Sequence, residues 1–174
     1  MLNSMADVIT LEDLDFQLPL DEAGGPAGTT FRAARREDWT QLQSCCYPDH
    51  EPSLLRVHFE RSLEQQARGR GYWLVATVGE EIVGAGQLAP YGQRLEIANV
   101  AVNARWRRQG IGTAIVTFLH AQAGALGYES VDISVAADNA GALRLYQRLG
   151  FGNCHYIRQG PLPAIVVLRA FTSI

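Results

Sequence analysis

The sequence predicts a fold of mixed α and β elements, α/β (α+β), in a single domain with about seven strands and about four helices. Three observations support this. The 174 residues fit one domain of ordinary size. Hydrophobic residues make up 47% and charged residues 19%, as in globular proteins. Segments with a period near two alternate with segments of helical period, so the predicted order is β-α-α-β-β-β-α-β-α-β-β.

The first half of the domain begins with a short strand at 31–33. A helix is predicted from Arg36 to Ser44, because acidic residues occupy its first turn. Apolar residues at helical spacing predict a second helix over 52–68. Three strands then follow one another with only short turns between them, which favours antiparallel pairing. They are predicted at 72–78, 82–89 and 94–102.

The second half changes from helical to strand period twice. A glycine-containing turn over 103–112 leads into a helix that closes at Gly127. A strand at 131–136 precedes a helix that Asp138 or Asn139 caps and that runs to Leu149. Two final strands are predicted at 152–158 and 164–171.

The charge is unevenly distributed along the chain. Residues 1–30 contain six acidic residues and no base, whereas the remainder contains 12 acidic residues and 15 Arg. We therefore divide the chain into an acidic N-terminal extension, 1–29, and a single domain, 30–174. The extension could be a mobile arm or a packed one. A further hypothesis is that it lies over an Arg-rich phosphate site and competes with the ligand, or docks on a second subunit.

Composition excludes several classes of protein. The net charge of −3 does not indicate a nucleic-acid partner. No apolar run approaches ~20 residues, and residues 1–10 contain no Lys or Arg, so neither a membrane span nor a secretory signal is expected. Three Cys and four His lack metal-ligand spacing, which predicts no metal and reduced thiols in the cytoplasm.

The segment that most clearly predicts a binding site is 95–114, a strand followed by a turn and the start of a helix. Amides at a helix N-terminus bind anions, and Gly110 and Gly112 let a phosphate approach the backbone. Three Arg add positive charge in the same place, namely Arg105, Arg107 and Arg108. The chain has no Lys for a P-loop, and it lacks the full dinucleotide fingerprint. The expected ligand is a pyrophosphate.

Two motifs resemble those of the GCN5-related N-acetyltransferase (GNAT) superfamily. Arg107-x-x-Gly110-x-Gly112 is similar to its coenzyme A pyrophosphate loop. About thirty residues later, residues 139–151 are similar to the later motif Asn-x-x-Ala-x-x-[Leu/Phe]-Tyr-x-x-x-Gly-Phe. Asn139, Ala142 and Tyr146 have the spacing i, i+3 and i+7, which places them on one helix face.

The resemblance implies a mixed, mostly antiparallel sheet of about seven strands, splayed between strands four and five, with acetyl-CoA in the gap. Acetyl-CoA is then the acyl donor, and no metal is required. The residues that the resemblance assigns to the cofactor are Val100, Ala101, Val102, Arg107, Arg108, Gln109, Gly110, Ile111, Gly112, Thr113, Asn139, Ala142 and Tyr146.

The same resemblance implies a catalytic pair. Glu96 occupies the strand-four position where some relatives carry a catalytic carboxylate, and Tyr146 matches the tyrosine that faces the CoA sulfur. An amine must lose a proton before it attacks, and a leaving thiolate gains from a donor, so the expected roles are base and acid. The amide of Val100 is expected to stabilise the oxyanion. As an alternative, Glu96 pairs with Arg94 on the strand surface.

The expected function is direct transfer of an acetyl group to a primary amine. The acceptor stays open between a small amine, an amino-acid derivative, an antibiotic amine and a peptide N-terminus, and longer acyl groups are also open. The motif pair is similar to that of ribosomal-protein N-terminal acetyltransferases, although Ser134 stands where those enzymes have a glutamate. A non-catalytic acyl-CoA-binding sensor is the alternative, and a homodimer through the apolar segment 164–168 is left open.

Overall fold

A computed structural model describes residue 26 and residues 28–172 of the chain. Apolar residues alternate weakly over 8–20, which from sequence leaves a short added strand or a mobile arm open, and this segment lies outside the described residues, as does nearly all of the predicted acidic extension. The described residues form one mixed sheet of seven strands with four α-helices, so the predicted fold class is confirmed.

The sheet has the strand order β1-β2-β3-β4-β5-β7-β6. Its strands are β1 (Thr29–Ala33), β2 (Tyr72–Val78), β3 (Glu81–Tyr91), β4 (Arg94–Val102), β5 (Ser130–Ala136), β6 (Gly152–Gln159) and β7 (Leu162–Phe171). All neighbouring strands are antiparallel except β4 and β5, which are parallel. Because β7 lies between β5 and β6, β6 forms the edge, and the apolar segment 164–168 is not at an edge.

The parallel pair β4–β5 is short. It consists of three residue pairs, the last of which joins Ile97 to Ile133. Beyond these residues the two strands separate, while β4 continues to Val102 and β5 to Ala136. This is the splay that the sequence resemblance implied, and it opens a gap in the middle of the sheet.

The helices are α1 (Trp39–Cys45), α2 (Pro52–Ala67), α3 (Ile111–Ala125) and α4 (Ala140–Arg148). Glu51 is the N-cap of helix α2, and its carboxylate accepts bonds from the amides of Ser53 and Leu54. One core cluster joins the sheet to α3, and Leu95 and Ile97 of β4 belong to it. A second cluster lies with α1 and α2 and includes Trp73 of β2. None of the helices in the described part of the chain is long and apolar enough to cross a membrane.

The predicted elements differ from the observed ones mainly at their ends. The first predicted helix divides into a 3-10 turn at Arg36–Asp38 and the α-helix α1. A second 3-10 turn, Ala104–Trp106, occupies the loop before α3, where Asn103 accepts a bond from the Arg105 amide. Such turns depend on side-chain capping, which hydrophobic periodicity does not reveal.

Candidate active site

The loop between β4 and α3 has a left-handed backbone at two positions. Arg108 has a φ of 65° and Gly110 a φ of 85°. Gly110 is the N-cap of α3, and no side chain caps this helix. The first amides of α3 therefore have no intrahelical acceptor, and they lie at the positive end of a 15-residue helix. This geometry is suited to an anion.

A cavity of about 610 Å³ opens at this helix end. It lies between the loop, the end of β4 and helix α4. The lining residues are Val100, Ala101, Val102, Trp106, Arg107, Arg108, Gly110, Ile111, Gly112, Thr113, Gly141, Ala142, Arg144, Leu145, Tyr146 and Arg148. Eleven of the thirteen residues assigned to the cofactor by sequence are in this lining.

Four Arg line the cavity, and no acidic residue does so within the described part of the chain. Arg107 and Arg108 come from the loop, as expected. Arg144 and Arg148 come from α4, and the sequence analysis did not identify them. Their i, i+4 spacing, beside the motif tyrosine, is the signal that could have identified them. The cavity therefore combines free helix amides with a concentrated positive charge.

Two residues assigned to the cofactor are not in the lining. Asn139 is the N-cap of α4, where its side chain accepts a bond of 3.1 Å from the Ala142 amide. The Gln109 side chain donates to the carbonyl of Arg105 at 3.4 Å. Both side chains are thus engaged with the local backbone, and their contact with a cofactor stays a prediction.

Tyr146 brings a phenol to the cavity from α4. The residue is 7% exposed, and its ring packs at 6.3 Å from the ring of Phe151. Burial raises the pKa of Tyr146, so the phenol keeps its proton at neutral pH. Because Tyr146 lines the cavity, its phenol is placed to meet a ligand there.

Glu96 lies on the other face of β4. Its neighbours Leu95 and Ile97 point into the core beside α3, so alternation directs Glu96 to the opposite face. There it accepts a bond of 2.6 Å from the Ser134 hydroxyl of β5, across the position where the two strands begin to separate. Glu96 does not line the cavity. The carboxylate and the phenol are thus on opposite sides of the gap.

Arg94 does not pair with Glu96, contrary to the alternative considered from sequence. Its guanidinium lies 3.6 Å from a carboxylate oxygen of Asp132. Arg169 of β7 binds the same carboxylate with two bonds of 2.6 and 2.8 Å. Although partial burial acts in the opposite direction, these two cations lower the pKa of Asp132. Asp132 is therefore a paired structural carboxylate, and Glu96 is left with a neutral partner.

Several aromatic and acidic residues near α1 and α2 have structural partners. Trp39 packs on Phe59, with ring centroids 5.6 Å apart, and Tyr47 is buried in the second core cluster. Tyr91, in the β3–β4 hairpin, is 70% exposed.

The three Cys are free thiols. No group of three or more His, Cys, Asp or Glu in the described residues is arranged to hold a metal ion.

Comparison with known proteins identifies the region that contains this site. Residues 36–151 match the sequence model of the Acetyltransferase (GNAT) family. N-acetyltransferase 8B of Rattus norvegicus is 37% identical over 90 residues, which cover 48% of this chain and 40% of that protein. The match therefore spans less than half the length of this relative.

Solved structures share the fold at low sequence identity. Ard1 from Thermoplasma volcanium superposes with a TM-score of 0.72 at 19% identity, over 85% of this chain and 100% of the other. A GNAT family acetyltransferase from Elizabethkingia anophelis, solved with acetyl-CoA bound, gives a TM-score of 0.64 at 20% identity. That match covers 84% of this chain and 99% of the other.

Proposed function

Because the chain belongs to the GNAT acetyltransferase family, we propose that it transfers an acetyl group from acetyl-CoA directly to a primary amine. The acceptor is a small molecule or a peptide N-terminus. The observation that supports this proposal most strongly is the cavity at the N-terminus of α3, with its free amides and four Arg. A pyrophosphate and a further phosphate are the groups that such a cavity suits.

Acetyl-CoA is the ligand that these residues fit. The free amides of α3, with Arg107 and Arg108, are placed to hold the pyrophosphate. Gly112 leaves room there, because even a Cβ at this position would come no closer than 3.5 Å to Val102 and 3.8 Å to Leu145. Arg144 and Arg148 add the charge for a third phosphate group. Val100 and Val102 of β4 also line the cavity, and they lie beyond the last residue pair of β4 and β5, where the gap opens.

In the proposed transfer step, Glu96 acts from one face of the gap and Tyr146 from the other. The amine approaches from the face of Glu96, which removes a proton from it directly or through water. The amine nitrogen attacks the thioester carbon, and the amide of Val100 stabilises the oxyanion. When the C–S bond breaks, Tyr146 gives its proton to the leaving thiolate. The products are an acetylated amine and CoA, with no covalent enzyme intermediate.

Calorimetric titration with acetyl-CoA tests the first part of this proposal. The chosen blocking variant is Gly112→Trp. Gly112 has helical backbone and lines the cavity, so the indole of a Trp at this position would enter the cavity. Gly110 is less suitable, since its φ of 85° strains any other residue. Gly152→Trp on β6 is the matched control, where a Cβ meets nothing within 4 Å. We expect binding by the wild type and the control, and none by Gly112→Trp.

A screen of amines for release of free CoA tests the second part. Turnover with one class of amine supports the transferase and identifies the acceptor. Binding without turnover, over small amines and peptide N-termini alike, would favour the acyl-CoA-binding sensor. If the wild type does not bind acetyl-CoA, the proposed function is wrong.

A further inference from the structure

Strand β4 contains a bulge next to the gap. Ala85 of β3 pairs with Ala101, and Gln87 pairs with Ala98, so Gly86 faces two residues of β4. These are Asn99 and Val100. Asn99 has a φ of 51°, in the left-handed region that asparagine adopts more readily than most residues. A bulge bends its strand and interrupts the ladder, and this one lies two residues beyond the last β4–β5 pair.

Two side chains from other elements hold Asn99 in this conformation. The hydroxyl of Tyr47 donates a hydrogen bond to the backbone carbonyl of Asn99. The side-chain amide of Asn99 donates to Oε1 of Gln87 at 2.8 Å. The backbone and the side chain of one left-handed residue are therefore fixed from two directions.

The contacts continue from Gln87 to helix α2. Gln87 donates through Nε2 to the Ser62 hydroxyl at 2.5 Å, and Ser62 donates to the carbonyl of His58 at 2.9 Å. A line of hydrogen bonds thus connects α2 to the bulge of β4. Tyr47 follows α1, so both helices of the second core cluster are connected to Asn99.

Burial makes these hydrogen bonds difficult to exchange for water. Tyr47, Ser62 and Gln87 are 2%, 3% and 8% exposed. A buried polar group that loses its partner keeps the full cost of desolvation, so each bond constrains its neighbour. Burial raises the pKa of Tyr47 well above its ordinary value, and the phenol therefore stays a donor to Asn99 at neutral pH.

We propose that Tyr47, Ser62 and Gln87 are positioning residues that act through Asn99. They set the direction in which β4 leaves β5, and with it the position of Val100 at the reacting thioester. The proposal rests on the proposed function for its catalytic consequence. It also connects α1 and α2 mechanically to the acyl site, because a shift of either helix reaches Asn99 through one or two hydrogen bonds.

The test uses Tyr47→Phe and Gln87→Met, which remove hydrogen bonds and little volume. Gln66→Met is the matched control: Gln66 also connects α2 to the sheet region, through the Ala34 carbonyl at 3.0 Å and the Trp73 amide at 3.3 Å, without contacting β4. Asn99→Gly keeps the left-handed backbone accessible and removes only the side chain.

Two measurements are made on each folded variant. Hydrogen exchange over residues 98–102 reports the bulge itself and needs no substrate. We expect Tyr47→Phe and Gln87→Met to exchange there about threefold to tenfold faster, the range that one lost hydrogen bond allows. With the acceptor found in the screen, we expect kcat to fall by a similar factor, while the Kd of acetyl-CoA changes less than about twofold. Gln66→Met should leave both at the wild-type level.

Exchange over 98–102 that matches the Gln66→Met control in both variants would overturn the proposal. So would a kcat at the wild-type level in both, or an equal loss in the control. If Tyr47→Phe does not fold, the same two measurements on Asn99→Gly decide whether the proposal holds. Absence of acetyl-CoA binding by the wild type contradicts the proposed function instead, and the exchange measurement still decides whether Tyr47 and Gln87 hold the bulge.

Discussion

Glu96 and Asp132 are two carboxylates at paired positions of β4 and β5, on the same face of the sheet. Arg169 and Arg94 neutralise Asp132, whereas Glu96 accepts a hydrogen bond from the neutral Ser134 hydroxyl. Although partial burial acts in the opposite direction, the two cations beside Asp132 lower its pKa, and a lowered pKa disfavours Asp132 as a proton acceptor. This difference in partners, rather than position alone, supports the base role proposed for Glu96.

We expect Glu96→Gln to lower kcat about 10²-fold, the usual range for loss of one general base. The amide oxygen can still accept from Ser134, and the Kd of acetyl-CoA should not change, since Glu96 does not line the cavity. Steady-state kinetics and calorimetry measure the two effects. Asp132→Asn is the control, which we expect to lower stability while kcat changes little. A kcat within a factor of two of wild type in Glu96→Gln would assign the base to another group.

Tyr146 gives a pH dependence whose sign follows from its burial. Because burial raises the pKa of Tyr146, the phenol remains a donor as the pH rises to about 10, the ordinary tyrosine value. We expect no loss of kcat from Tyr146 below that pH, and a lower kcat in Tyr146→Phe throughout. A kcat–pH profile of both proteins measures this. A wild-type decline centred below pH 10 that disappears in Tyr146→Phe would contradict the raised pKa, and a kcat of Tyr146→Phe equal to that of the wild type would contradict the donor role.

Among the elements, α3 has the closest contact with the sheet, and Gly86 of β3 permits it. A Cβ on Gly86 would lie 2.7 Å from Cγ2 of Ile115 and 2.9 Å from Cδ1 of Leu119. Ile115 is β-branched and fully buried, so its methyl group can move only with the helix. The position of α3, whose N-terminus borders the cavity, therefore depends on a glycine that belongs to no cofactor motif.

Gly86→Ala should destabilise the protein by about 1–3 kcal/mol, the usual cost of overpacking a core. Urea unfolding measures this cost. In the matched control, Gly152→Ala, the added Cβ meets nothing within 4 Å, and we expect a change below about 0.5 kcal/mol. Equal midpoints for both variants would show that α3 can move away from β3 without cost.

The sequence predicted the parts of the fold whose signals are contiguous in the chain, namely strands, turns and the loop before α3. The strands β2 and β4 were predicted with their observed bounds, because Gly71 and Gly79 flank β2 and Gly92 lies in the turn before β4. The loop of Arg107 and Gly110 was predicted because its chemistry is contiguous. The partners of Glu96, Asn99 and Asp132 were not, since Ser134, Tyr47 and Arg169 lie 37 to 52 positions away and meet them only in the folded chain. Long-range pairing of this kind has no periodic signal.

At the scale of the whole molecule, the acidic extension and the cavity carry opposite charge. The described chain enters β1 at Thr29, which pairs with Val78, and β2 ends there. The register through β3 places this end of the sheet beside Val102, where the phosphate loop begins. Three strand spacings separate β1 from β4, about 14 Å, which a 25-residue segment can span. The hypothesis from sequence that the six acidic residues of the extension compete with the phosphates for the four Arg concerns residues outside those that the structure describes, and a deletion tests it directly.

Removal of residues 1–25 tests this competition and keeps Pro26, whose carbonyl accepts bonds from the amide and the hydroxyl of Thr29. We expect the shortened protein to bind acetyl-CoA several-fold more tightly at low ionic strength. The difference should disappear near 1 M salt, where the screening length falls to about 3 Å. A full-length variant with the six acidic residues changed to Asn or Gln separates charge from bulk, and it should match the shortened protein. Equal Kd values for all three proteins at low salt would exclude the extension as a competitor, because electrostatic competition is strongest under that condition.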